Sequence, residues 1–436
     1  MRTVEGTSEA GRPVEPRGIL AGPLRGLSVG SVLLVALFAF EGLGVTTVAP
    51  AIAADLGGIA GYGWIFTGFL GGQIAGTLLA GQWADRGRLR HVFALAGLSF
   101  AVGLVAAVAA TSMTVLVAGR LAQGFGAGAM ITAVYAMLGS VYPDRLRPRM
   151  LAALSSAFVL PALVGPAIAA VVAERFGWRL VFGGMLAVCA VVGAAVFRPF
   201  ARLSERSAAE PPDQPDQLDR SRRRALGPLL AAAREAAPVL LARGLLVAAF
   251  FHSQTYLVLA LTELGGFRPT VAGVAVSAGS LSWTAGAWSA ERLDARYRGT
   301  RRASRVLAGS ACTAAAVTAL TGLVAAGGSG AVAAVVAGWV LAGFGIGLLH
   351  STTGAIALAA QSDGATGTAS SALILVDLLT PAASIGVGSA LVAVSVGSAA
   401  GVAAGITAAL TLGAAMAVAG LVPAWRLARP KQHELV

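Results

Sequence analysis

Twelve apolar stretches, most about 20 residues or longer, run through this chain and leave it few ways to fold. A helix needs roughly 20 apolar residues to cross a bilayer. Inside hydrocarbon every backbone N–H and C=O must be bonded within the protein, which only helices and closed barrels achieve. The stretches cover residues 29–52, 63–84, 91–110, 113–141, 150–172, 179–197, 239–261, 270–290, 304–325, 331–360, 367–394 and 400–423. They are longer than barrel strands, so the expected class is an all-α membrane protein with twelve transmembrane helices. The chain is 56% hydrophobic and 12% charged with mean hydropathy +0.78, well outside the soluble range.

Net charge is +12, which in a soluble protein would raise nucleic-acid binding, but the placement of the arginines argues otherwise. Arg86, Arg88 and Arg90 follow the second stretch, Arg145, Arg147 and Arg149 the fourth, a large group the sixth, and Arg292 to Arg305 the eighth. The intervening loops hold Arg175, Arg179 and Arg268. That alternation is the positive-inside signature and predicts cytoplasmic termini, so no nucleic-acid partner is needed to explain the charge. The first stretch is expected to stay as an uncleaved anchor. Cys189 and Cys312, each alone in an apolar stretch, support neither a disulfide nor a cysteine metal site.

A long polar interruption, Arg198 to Ala237, divides six stretches from six. The expected organisation is a cytoplasmic tail at 1–28, a six-helix half at 29–197, a cytoplasmic linker at 198–238, a second half at 239–424 and a cytoplasmic tail at 425–436. A short amphipathic helix is expected near Leu226 to Ala236. The halves are related in sequence. VAGRLAQGFGAG from Val117 returns as VAGWVLAGFGIG from Val336, and SSAFVLPALVGPA from Ser155 as SSALILVDLLTPA from Ser370. DLGG at Asp55 pairs with ELGG at Glu263, both first segments carry a Leu-Leu-Val-Ala run at Leu33 and Leu245, and GQWAD at Gly81 pairs with GAWSAE at Gly286. Duplicated membrane halves are the architecture of secondary transporters, whose substrate sites lie near the midplane between the repeats. The shared glycines, with the GxxxG pair Gly72 and Gly76, predict close helix packing. Arg120 becomes Trp339 and Gln123 becomes Ala342 in the second copy, so the first-half pair is not demanded by the scaffold. Trp339 is placed in a cavity wall or against lipid.

ATP hydrolysis on a P-loop is excluded because Lys431, in the C-terminal tail, is the one lysine. His91, His252, His350 and His433 lack metal spacing, there is no nucleophile elbow or zinc motif, and no cofactor is expected. The chain is not read as an enzyme; transport driven by gradients is what remains. GQWADRGRLRH from Gly81 resembles the loop motif GxLaDRxGRr, with Asp85 and Arg86 matching and Arg88 standing where glycine is usual. RLAQGFGAG from Arg120 resembles RxxqGxga, and PALVGPA from Pro161 resembles gxxxGPxxGG, with Gly165 and Pro166 in place and Pro161 at the first glycine. EGLGVTTVAPAI from Glu41 resembles DxTvvnvALPxI, with Glu for Asp. Over essentially all twelve stretches the chain is similar to the major facilitator superfamily, within it to the drug:proton antiporters of multidrug efflux. The resemblance implies the major facilitator fold, two pseudo-symmetric six-helix halves, and export by proton antiport. It also implies a cytoplasmic latch built on Gly81, Asp85, Arg86 and Arg88 and an antiporter motif at Pro161, Gly165 and Pro166.

An ionisable group inside a membrane segment is by default functional, because it must be paired or neutralised. Glu41 lies about 20 Å along the first segment, near mid-depth, and Asp377 about 15 Å into the eleventh. A carboxyl in a poorly hydrated cavity can load and release a proton as water or an arginine moves. Glu41 is the first choice for proton carrier, Arg120 the residue that tunes it, and Asp377 the second choice; the plain alternative for each is a structural hydrogen bond. Asp55 and Glu263 read as solvated helix ends. Gln123, Tyr135, His252, Gln254, Tyr256 and His350 are polar groups within apolar helices and are candidates for a pocket that takes amphipathic ligands. The function expected is proton-coupled export of hydrophobic or amphipathic small molecules across a bacterial cell membrane by a monomer, with the small-molecule substrate, protons and the bilayer as its partners. A metabolite importer and a non-transporting receptor on the same fold are the rivals.

Overall fold

A computed structural model describes residues 18–21, 24–84, 86, 88–208, 226–327, 331–359 and 366–429. Among these there are fourteen α-helices and no strand. They are α1 (Leu24–Asp55), α2 (Trp64–Ala84), α3 (Leu89–Val108), α4 (Met113–Val141), α5 (Arg147–Ser156), α6 (Val159–Phe176) and α7 (Trp178–Ala208). The second series is α8 (Leu226–Glu263), α9 (Pro269–Tyr297), α10 (Arg302–Ala325), α11 (Val332–Ala359), α12 (Thr366–Val396), α13 (Gly401–Ala419) and α14 (Leu421–Ala428). The fifth span is broken into α5 and α6 because Pro161 has no N–H for the carbonyl four residues earlier, and the chain turns at Ala157 and Phe158. Among the described residues, eleven spans are long and apolar enough to cross a bilayer. The remaining helix of that length, α9, is richer in Ser, Gly and charged residues. Large apolar side chains such as Val191 and Leu98 stay exposed around the bundle, as lipid-facing residues must. From the polar stretch between the halves, Arg198–Ala208 continues α7, and the segment Leu226 to Ala236, expected as a separate short helix, is the start of α8.

The repeated glycines do the same work in both halves. A Cβ on Gly124 of α4 would stand 1.9 Å from the Phe69 carbonyl oxygen of α2, and one on Gly343 of α11 2.3 Å from the Gly279 carbonyl oxygen of α9. Gly128 meets the Gln73 oxygen at 2.1 Å and Gly347 the Trp283 oxygen at 2.1 Å. Those distances admit only a hydrogen, so α2–α4 and α9–α11 are backbone-to-backbone contacts that any side chain would pry apart. The same geometry corrects one sequence pairing. Gly286 faces Phe344 as Gly76 faces Phe125, so Gly286 is the counterpart of Gly76, not of Gly81.

Contacts between the halves gather at the end of the bundle away from the termini. Tyr62 Oη donates to the Thr255 carbonyl at 2.9 Å, and Thr67 Oγ1 to the Ala382 carbonyl at 3.3 Å. The Thr270 amide donates to Glu174 Oε1 at 2.8 Å. Asp55 is an exposed helix end, as read from sequence, and also accepts from Trp178 Nε1 at 3.1 Å and Arg179 Nη1 at 2.7 Å, tying α1 to the start of α7.

Candidate functional site

Two clusters of charge lie within the apolar bundle, one in each half. In the first, Glu41 of α1 and Arg120 of α4 form an ion pair through Oε1 and Nη1, with Glu41 wholly buried and Arg120 2% exposed. Arg120 is held from three further sides. Its Nε donates to the Ile65 carbonyl of α2 at 3.0 Å, its Nη1 to Gln123 Oε1 at 3.0 Å, and its guanidinium lies 4.4 Å over the Phe69 ring. Glu41 Oε2 and Gln123 Nε2 have no hydrogen-bond partner. A buried carboxylate oxygen without a donor is costly, and it is the position at which a proton can be added without breaking any existing bond. The guanidinium keeps its carbonyl, amide and ring contacts whatever the state of Glu41.

The second cluster is larger and contains a residue that sequence reasoning missed. Arg243 of α8 is 4% exposed and forks onto Asp377 of α12, with Nε to Oδ1 at 2.8 Å and Nη2 to Oδ2 at 2.6 Å. Its Nη1 donates to the His350 carbonyl at 2.8 Å and to Thr353 Oγ1 at 3.1 Å, both on α11. His350 Nε2 lies 2.5 Å from Arg243 Nη2 and 3.2 Å from Asp377 Oδ2. The bidentate geometry is the strong form of the arginine–carboxylate contact. One guanidinium thus joins three helices. The signal available in sequence was a lone arginine four residues inside a predicted span, opposite an acid where the first half has Ala162.

Of the six residues proposed for a pocket, the fold brings His252 and Tyr256 together, with ring centroids 4.7 Å apart, but does not gather all six. Gln123 is locked to Arg120, while His252 Nε2 donates to the Ala409 carbonyl at 2.7 Å and Tyr256 Oη donates to the Ile385 carbonyl at 2.7 Å. Gln254 is buried too, and a side chain with no free surface offers a ligand nothing in this conformation. Tyr135 is half exposed, and His350 belongs to the Arg243 cluster. Trp339 is neither a cavity wall nor lipid-facing; it is fully buried and stacks on Phe250 with centroids 4.6 Å apart.

Of the loop motif, Asp85 lies outside the described residues. Gly81 is unobstructed, Arg86 Nη1 reaches the Gln82 carbonyl at 3.4 Å, and the Arg88 amide donates to the Trp83 carbonyl at 3.1 Å. At the same end of the second half, Asp294 of α9 accepts from Arg302 at 2.9 and 2.6 Å and from Arg305. These bonds, chiefly those from Arg302, lower the Asp294 carboxyl from an ordinary 3.8 to about 2. A depressed carboxylate stabilises the fold at every pH above its ordinary value, and that contribution is lost as pH falls toward the depressed one. Asp294→Asn is therefore expected to lower the thermal midpoint at pH 7. The gap from the parent protein should close between about pH 4 and 2 in thermal melts of detergent-purified protein.

The Pro161 motif marks a junction. Pro161 lies in the first turn of α6; Gly165 lets the Phe40 ring of α1 within 3.2 Å of where a Cβ would be. The Pro166 carbonyl oxygen lies 2.9 Å from a Cβ built on Gly273 of α9, where the halves touch.

Residues 30–384 match the Major Facilitator Superfamily. A "Probable multidrug-efflux transporter" of Mycobacterium tuberculosis is 30% identical over 162 residues, 37% of this chain and 34% of that protein. The "Vacuolar basic amino acid transporter 5" of Saccharomyces cerevisiae is 29% identical over 184 residues, 41% of this chain and 31% of that protein. The matched region thus spans about a third of the length of these curated relatives. Among solved structures, a D-xylose-proton symporter superposes with a TM-score of 0.68 at 12% identity, covering 94% of this chain and 98% of its own, a likeness of fold. Matched over most of its length and folded as two six-helix halves, the chain belongs to the Major Facilitator Superfamily and is a multi-pass membrane protein.

Proposed function

We propose that the chain is a proton-coupled exporter of hydrophobic or amphipathic small molecules, working as a monomer in a bacterial cell membrane with both termini in the cytoplasm. The observation that carries this reading is the sealed Glu41–Arg120 pair with its unpartnered carboxylate oxygen. Such a group in the first span is a place to hold a proton and needs no other explanation in the scaffold, since Trp339 replaces the arginine in the second half. The named efflux relative and the Gly165–Pro166 motif support export over import. The contacts between the halves at the far end support reading this conformation as one open toward the cytoplasm, ready to accept substrate from the cell or the inner leaflet.

The test uses inverted membrane vesicles and ethidium as the probe. Acidifying the lumen is expected to drive dye inward, with the movement collapsing on addition of a protonophore. Dye movement indifferent to the gradient, or movement only in the opposite sense, overturns the reading in favour of a facilitative carrier or an importer.

A further inference from the structure

Among the described residues, and apart from the Asp294–Arg305 pair at the end that holds the termini, each half carries one ion pair inside its spans, and neither recurs at the equivalent place in the other half. By the sequence repeats, Arg120 corresponds to Trp339, Asp377 to Ala162 and His350 to Ile131; Glu41 falls at Ser253 in the Leu33–Leu245 register and at Ala249 in the Asp55–Glu263 register, and Arg243 at Ser31 or Val35, all of them uncharged. Each half therefore folds without the pair that the other carries. A charge cluster that the fold does not require, held inside a membrane protein at the cost of desolvation, calls for a separate explanation at each site.

The two differ in access. Glu41 and Arg120 are sealed, while the side chains of Asp377 and His350 are 25% and 30% exposed around an Arg243 that is itself buried. Asp377 lies five residues before Ala382, which bonds to Thr67 across the halves, or about 7.5 Å nearer the end that holds the termini. It stands just past the contact that closes the other end.

Hydrogen-bond bookkeeping selects a neutral His350 when the shorter of the two contacts at Nε2, 2.5 Å to Arg243 against 3.2 Å to Asp377, is given the bond. An arginine guanidinium is always a donor, so the 2.5 Å contact requires Arg243 Nη2 to donate to Nε2, and the neutral ring carries its proton on Nδ1. A proton added at Nε2 converts that atom into a donor, which breaks the bond from Arg243 and turns the ring to the Asp377 Oδ2 already 3.2 Å away. Arg243 keeps its fork onto Asp377, and one of its ties to α11 is lost. The other groups facing the ring are Trp283 of α9, with centroids 5.3 Å apart, and Thr353 of α11, which shares Arg243 Nη1 with the His350 carbonyl. Arg243 opposes the added charge and Asp377 favours it.

We propose that the Arg243–His350–Asp377 triad is a second proton-binding site, separate from Glu41, with His350 Nε2 taking the proton and Arg243 acting as its positioning residue. As a site of proton binding it stands on geometry; its role in coupling rests on the exporter reading. Each half then carries one proton, the first half's sealed and the second half's exchangeable in the conformation described here.

The experiment is nitrogen NMR of the purified full-length protein labelled at its four histidines, with His350→Gln assigning the resonance. The expected result is an Nδ1-protonated neutral ring at alkaline pH that becomes doubly protonated on acidification. At a fixed intermediate pH, Arg243→Gln should enlarge the doubly protonated fraction and Asp377→Asn should shrink it, with the His91 and His252 signals in place to show that each variant is folded. A neutral ring protonated on Nε2, or a fraction that neither variant moves, overturns the proposal. In ethidium-loaded vesicles, His350→Gln should lower the protons exchanged per dye toward half; an unchanged ratio removes the triad from coupling. If His350 titrates as described but no dye moves in any arm, the proton site stands and the exporter reading falls.

Discussion

Glu41→Gln is expected to reduce proton-driven dye efflux to background while leaving a folded transporter that still binds dye. Glutamine keeps the length and one carbonyl oxygen, so Arg120 Nη1 retains an acceptor where Glu41 Oε1 stands. What disappears is the site of protonation at the unpartnered oxygen and the negative charge facing the guanidinium. Breaking a buried pair by neutralising one partner typically costs about 3–5 kcal/mol. Here the loss is moderated because Arg120 also holds the Ile65 carbonyl and Gln123 and lies over Phe69, contacts that survive the substitution. The variant should therefore elute as a single species with a lowered thermal midpoint. Proton release on dye addition to detergent-solubilised protein should fall in parallel with efflux. Full proton-coupled transport by Glu41→Gln would remove Glu41 as the carrier. Glu41→Asp should recover part of the activity, since it restores a titratable oxygen one methylene short of Arg120.

Much of the architecture was legible because membrane folding depends on few variables. Apolar length set the spans, arginine placement suggested their direction, and the repeated Gly124, Gly128, Gly343 and Gly347 pointed to close helix pairs that the carbonyl contacts explain. Faces were less legible. An apolar helix in a bilayer has hydrophobic residues all round, so nothing in the spacing told that Tyr135 would be half exposed while His252, Gln254 and Tyr256 would be buried. The Glu41–Arg120 pair could be anticipated because both residues stand far from any loop and the repeat shows that the scaffold does without the arginine. Arg243 escaped notice for the opposite reason. It lies near the arginine-rich end of its span, where a long side chain can reach the interface and needs no partner, yet it turns inward to Asp377 and is buried. The pairing of Gly81 with Gly286 went astray because GxW is too short a match to fix register; only the facing carbonyls of Phe125 and Phe344 do so.

Arg120→Trp alone should be poorly folded, even though the second half holds a tryptophan at the equivalent position. The reason is the residue beneath it. Gly343 packs on the Gly279 carbonyl as Gly124 packs on that of Phe69, which makes Phe69 the counterpart of Gly279. In the second half the indole of Trp339 lies against a glycine and stacks on Phe250; in the first half the same space holds the Phe69 ring under the guanidinium. A tryptophan at 120 would meet that ring, an overpacking that costs about 1–3 kcal/mol. It would also strand the Glu41 carboxylate without its cation, adding about 3–5 kcal/mol. Together these are comparable with the whole stability of an ordinary domain. Combining Arg120→Trp with Phe69→Gly gives the first half the residues that Trp339 and Gly279 supply in the second, and adding Glu41→Ser removes the stranded carboxylate. That triple variant should recover the yield and thermal midpoint that Arg120→Trp loses, because both penalties are removed. It should nevertheless show no proton-driven efflux. If the triple variant folds and moves dye with the gradient as the parent does, the Glu41–Arg120 pair is a structural clamp and proton coupling belongs elsewhere in the chain.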